Sequence, residues 1–196
     1  TVAAQTHVEG EVRRSIAAAT LDSRRVLVTP APLNSLLWRV VVMDDDGYLE
    51  GFRSLFDTGA RIPLVRHPSD PELLESLRDD WAVRRLAWFS KGFYSVRLAH
   101  STLRVADGAP STIRQMLGAV TTAQAAPVGN DHVTRPIVMT DLRMGQTPWF
   151  VFSFVVAEHG VRGIRAVPNR QIASARPPVT ALPWLWNRIW DEDATY

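Results

Sequence analysis

The sequence predicts an α+β fold, a single domain built mainly on an antiparallel β-sheet with flanking helices. β-rich runs recur at hairpin spacing, and helical patterns cluster before and between them. No strand–helix–strand series with short glycine-rich turns occurs, which argues against a doubly wound nucleotide-binding fold. With 196 residues, 46% hydrophobic and 21% charged, the chain carries apolar material for one sizeable core, or at most two small ones.

Residues 1–22 read as a helical lead-in, with Val8, Val12, Ile16 and Ala19 near helical spacing and charges on the other side. The apolar stripe is thin, as for a helix at the edge of a core or one continuing from another segment. Residues 23–192 read as the α+β domain. Arg25 to Val28 is a short strand closed by Pro30 and Pro32, which forbid helix. Leu36 to Met43 and Tyr48 to Phe56 flank Asp44-Asp45-Asp46-Gly47, where Asp-Gly favours a tight hairpin turn. Ser69-Asp70-Pro71-Glu72 has the residues of a helix start, with Glu72 three after Ser69 as in a capping box. That helix buries Leu73, Leu74 and Leu77, breaks at Asp79-Asp80 and resumes from Trp81 to Trp88 with Val83 and Leu86 inward.

Gly92 ends the helical pattern, Phe93 to Leu98 is a strand, and Thr102 to Val105 continues it. Residues 107–134 read as an insertion: a helix from Ser111, then an Ala/Pro/Gly/Asn loop over 123–131. Strands return at Ile137 to Leu142 and Trp149 to Val156, the second apolar on both faces and so central in its sheet. Pro177, Pro178 and Pro183 bracket a linker before a last helix, where Leu182, Leu185, Trp186, Ile189 and Trp190 make a complete apolar face.

Composition narrows the chemistry. There is no cysteine, which excludes disulfides, a thiol nucleophile and thiolate zinc sites. The formal charge is only +2, and the pI near 9.5 reflects basic residues that are arginines except for Lys91. No nucleic-acid footprint is present. The one local skew runs from Arg143 to Arg188, six arginines against Glu158, followed by acidic Asp191, Glu192 and Asp193. It reads as solvated arginines on a sheet surface, with anionic lipid headgroups as the alternative partner. The longest nearly apolar run, Trp149 to Ala157, is about half of the roughly 20 residues a helix needs to cross a bilayer, so the chain reads as soluble. Thr1 fits either removal of an initiator methionine or a piece of something longer.

The five histidines are scattered, and His7 with Glu11 on the first helix is more simply helix surface than a metal site. The aspartates at 44–46 lack the spacing of a calcium loop. Ser90, in Ser90-Lys91-Gly92, lacks a nucleophile-elbow frame and reads as the end of a helix. Arg39 inside an apolar strand, and Asp141 with Arg143 on one face of another, need partners if covered. The favoured expectation is a polar network that sets sheet register. The competing one is a small-anion or substrate pocket around Arg39, Ser90, Asp141 and Arg143.

Several motifs resemble a known family. Thr29-Pro30-Ala31-Pro32-Leu33-Asn34, Leu37-Trp38-Arg39-Val40, Asp46-Gly47-Tyr48, Gly51 and Ser54 look like the segment after the membrane helices of the YdjM/YbcI-type membrane-bound metal-dependent hydrolases. Trp88-Phe89-Ser90-Lys91-Gly92-Phe93-Tyr94, Asp141-Leu142-Arg143-Met144-Gly145 and Phe152-Ser153-Phe154 resemble its downstream motifs in the same order. The resemblance implies a bacterial or archaeal protein whose membrane helices hold a divalent metal, with a soluble C-terminal part like this chain. None of that metal-ligand set is in this sequence, so no hydrolase chemistry transfers to any residue here.

Three functions follow as expectations: a binding or regulatory module whose partner is its own N-terminal membrane domain, a hydrolase-type enzyme with its site in this chain, or a structural or oligomerisation domain. The first is favoured, and it places the full-length protein at the cytoplasmic membrane. Trp184, Trp186 and Trp190 are then candidates to face lipid, although the helical spacing of Trp186 and Trp190 argues more strongly for core packing.

Overall fold

The computed structural model describes residues 2–18, 25–32, 34–59, 61–99, 134–173 and 181–194. The expected strand at 102–105, helix from Ser111, loop at 123–131 and linker at Pro177 and Pro178 lie outside them. Two four-stranded antiparallel sheets and a two-stranded ribbon form the β part of the α+β fold.

Sheet one is ordered β1 (Arg25–Pro30), β2 (Leu37–Asp44), β3 (Gly47–Ser54), β4 (Leu64–Pro68). The Asp-Gly hairpin forms as expected, with Asp44 paired to Gly47 and the register running back to Leu37 opposite Ser54. Alternation sends Trp38, Val40 and Val42 to one face of β2, where they pack with Val8 and Val12 of α1 (Val2–Ala18). Both valines are fully buried, each worth about 1.5–3 kcal/mol. The first helix is therefore part of the core, and Val12→Asp would detach it. On its outer side Glu9 pairs with Arg13 one turn on.

The other face of sheet one carries Leu37, Arg39, Val41 and Met43. It is covered at one end by Leu185 and Ile189 of α3 (Ala181–Trp190), and elsewhere by Leu142 and Phe150 of the chain around a ribbon, β7 (Gly145–Gln146) with β8 (Trp149–Phe150). Cover on both faces explains why β2 is apolar apart from Arg39 and the terminal Asp44. Gly51 lets β4 approach, because a Cβ there would stand 2.2 Å from the Pro63 carbonyl oxygen.

Sheet two is ordered β10 (Gly163–Gln171), β9 (Ser153–Gly160), β6 (Arg135–Asp141), β5 (Tyr94–Leu98). Its covered face buries Val96, Ile137, Met139 and Val156 beneath Leu74 and Leu77 of a 3-10 helix (Pro71–Leu77) and Val83 of α2 (Trp81–Phe89). The capping box does not form. Asp70 makes no side-chain cap, while Ser69 Oγ instead receives the Val96 amide at 2.9 Å, tying sheet two to the chain leaving sheet one. The working cap is Asp80, whose carboxylate accepts from the amides of Ala82 and Val83.

The run expected as one strand from Trp149 to Val156 divides into β8 and β9, and β9 is interior as expected. Strands β4 and β10 escaped the sequence reading. β10 is a mostly exposed edge whose register slips between Ala166 and Arg170, around Pro168, which cannot donate to a ladder.

Candidate functional site

Arg39 and Glu50 occupy adjacent strands of sheet one on the same face, and both are buried. Arg39 Nε donates to Glu50 Oε1, and Nη1 donates to the carbonyl of Leu142 at 2.6 Å. Nη2 is buried without a hydrogen-bond partner among the described residues, and the guanidinium lies 5.6 Å from the centre of the Phe150 ring. Glu50 Oε2 accepts the Thr147 amide at 3.2 Å and faces His67 Nε2 at 3.7 Å. Tyr48 stacks on His67 at 5.0 Å, and its hydroxyl shares a hydrogen bond with Thr147 Oγ1 at 2.8 Å. Burial is the main reason the Tyr48 phenol is pushed above its ordinary pKa.

Asp141 is buried and holds Arg143 through three contacts of 2.8–3.1 Å, to its amide, Nε and Nη2. Donation of hydrogen bonds to Asp141 raises the Arg143 pKa, and the Arg143 guanidinium lies 4.9 Å over Phe89. The structure thus divides the three residues read as one network. Arg39 takes Glu50 as its carboxylate, Arg143 takes Asp141, and Arg39 joins the two only through the backbone between Asp141 and Arg143. Ser90 stands apart as the C-cap of α2, donating to the Ala87 carbonyl at 3.1 Å. Glu50 was missed, although the hairpin register already placed it diagonally beside Arg39 on one face.

The last helix corrects the expectation for its tryptophans. Trp186 and Trp190 are 62% and 58% exposed, Trp190 stacking on Phe56, rather than packed in the core. Trp184 is half-buried, edge-on to Phe52. What this helix buries instead is Arg188, bound to Asp57 by two 2.8 Å contacts and to the Phe52 carbonyl.

A second exposed aromatic face lies on α2. Trp81 and Trp88 are 67% and 76% exposed, with Arg84 and Arg85 exposed between them and Arg85 lying over the Trp81 ring. At its C-terminal end an open groove of about 790 Å³ is lined by Trp88, Phe89, Lys91, Arg143 and Arg25. The Arg25 guanidinium rests against Gly92, where any Cβ would meet Nη1 at 1.6 Å. Lys91 beside it has a φ of 53°, a left-handed conformation unusual for a lysine. The sequence signal for this face is that residues 81–93 hold three cations, three large aromatics before Phe93 and no acid.

Among the described residues no group of three histidine, aspartate or glutamate side chains is placed to hold a metal. His7 and Glu11 approach to 3.5 Å, but Glu11 is engaged by Arg53 at 2.8 Å. No described helix is long and apolar enough to cross a membrane. No family model, curated protein or solved structure significantly matches this chain. What the fold and site define is an α+β protein with buried ion pairs at Arg39–Glu50 and Arg188–Asp57, a partly exposed pair at Asp141–Arg143, and a basic aromatic surface.

Proposed function

We propose that this chain is the extramembrane domain of a membrane-bound metal-dependent hydrolase-like protein, serving as a binding module against the bilayer beside its membrane part. The family half of this reading rests on the ordered motifs, and the divalent metal is assigned to the membrane part. The observation that carries the binding half is the outward face of α2. Exposed tryptophans interleaved with arginines suit a headgroup layer, where indole rings sit at the interface and arginines meet phosphates. Arg25 and Lys91 have no carboxylate partner among the described residues and extend the positive surface. An enzyme site around Arg39, Asp141 and Arg143 draws less support, because each guanidinium already has its own carboxylate.

The test is co-sedimentation with phosphatidylcholine vesicles, with and without phosphatidylglycerol. The chain should pellet only with the anionic vesicles and be released as salt rises. Failure to pellet with anionic vesicles at low salt, or equal binding to neutral ones, overturns the reading.

A further inference from the structure

Helix α2 buries Val83 against sheet two and turns Trp81, Arg84, Arg85 and Trp88 outward, all four exposed. These are positions i, i+3, i+4 and i+7, so they form one continuous stripe, with the two indoles about 10 Å apart along the helix axis. This is the spacing by which a helix presents anchors to a partner surface. The stripe is purely basic, because residues 81–93 contain no acid.

Sheet one carries the counterpart at the end of α3. Phe56 stacks on Trp190 at 4.9 Å, and Trp190 meets Trp186 edge-on at 5.9 Å, so three exposed rings join into one patch. A joined aromatic patch left to water marks an interaction surface. The chain leaves Trp190 as Asp191, Glu192 and Asp193. Glu192 accepts from the amides of Thr58 and Gly59, which holds this acidic segment beside Phe56. Arg188, the one cation of α3, is taken by Asp57, and none of the three carboxylates has an ion-pair partner among the described residues.

We infer that the α3 patch docks the α2 face of a second copy of this chain. Indoles of the two copies pack together, while Arg84 and Arg85 of one reach Asp191 and Asp193 of the other. Tryptophan and arginine are the side chains that dominate interface energies. Opposite charge selects this pairing over α2 on α2 or α3 on α3, each of which sets like charges together. Within one chain the two helices pack on different sheets, and no ring contact or ion pair joins their faces among the described residues, so the contact is between molecules. A net charge of only +2 leaves little repulsion between copies. The inference goes beyond the membrane reading and does not rest on it. Lipid and α3 compete for the same α2 face, so any one copy engages one or the other.

Sedimentation equilibrium of the full chain without lipid tests it. At low salt the mass should rise above the monomer's at high micromolar concentration and return to it as salt is raised. Arg84→Glu with Arg85→Glu, and separately Trp186→Ala with Trp190→Ala, alter exposed side chains only. Each double variant should keep the parent circular dichroism spectrum and remain monomeric. Mixed in equal amounts they should form a one-to-one dimer, because the first retains its α3 patch and the second its α2 face. A parent chain that stays monomeric up to millimolar concentration, association insensitive to salt or to either variant, or a mixture that stays monomeric would each overturn the proposal. No lipid is present, so failure here and failure of vesicle binding are separate results.

Discussion

Helices α2 and α3 each show two tryptophans to solvent, yet they stand in opposite electrostatic settings. On α2 the rings alternate with exposed Arg84 and Arg85 and lead to Lys91. On α3 the one arginine is buried against Asp57, and the chain beyond Trp190 runs into Asp191, Glu192 and Asp193. Exposure of an aromatic ring is thus uninformative until the neighbouring charges are counted. The two ends of the β2–β3 hairpin repeat the contrast. Arg188 is engaged beside the Leu37–Ser54 end, whereas Arg25, beside the Asp44–Gly47 end, has no carboxylate partner among the described residues.

The contrast breaks hardest at the buried pair. Asp57→Ala strands Arg188 and removes an acceptor for the Ser54 amide, so urea unfolding should show a loss of about 3–5 kcal/mol. Arg84→Glu with Arg85→Glu should leave urea stability nearly unchanged but cut affinity for anionic vesicles at least about tenfold, since each surface cation contributes roughly 1 kcal/mol. Trp186→Ala with Trp190→Ala should leave vesicle binding intact. The reverse pattern would move the membrane-facing side to α3.

Asp141→Ala gives a smaller effect. Arg143 is partly exposed and keeps Phe89 beneath it, so chemical denaturation should register about 1–2 kcal/mol, short of the cost of stranding a fully buried arginine. The smallest effect belongs to Tyr48. Because burial raises its folded pKa, the folded state holds the phenolic proton more tightly than the unfolded chain does. Its contribution is fully present below pH about 10 and is lost as pH rises through the folded pKa. Tyr48→Phe should cost about 1 kcal/mol at neutral pH through the Thr147 bond, and it should flatten this alkaline decline in a pH series of thermal melts.

Much of the fold was legible where local signals agree. Asp-Gly between two β-rich runs set the hairpin, and the Val8–Val12 spacing located the buried stripe of α1. β10 was illegible because an exposed edge strand shows little apolar alternation. The partner of Arg143 was readable two residues away, whereas Arg188 finds Asp57 131 positions earlier in the chain, a pairing that only the tertiary fold creates. For the same reason helical spacing on α3 identified an apolar stripe but not its depth. Sheet one receives Leu185 and Ile189, and the wider indoles are left outside.

Lys91 gives the α2 surface a practical property. It is the only lysine in the chain and it is exposed, so an amine-reactive ester has a single ε-amino group to acylate. Peptide mapping by mass spectrometry would therefore report from one defined position, and its labelling rate with and without vesicles becomes a footprint of the groove that needs no mutation.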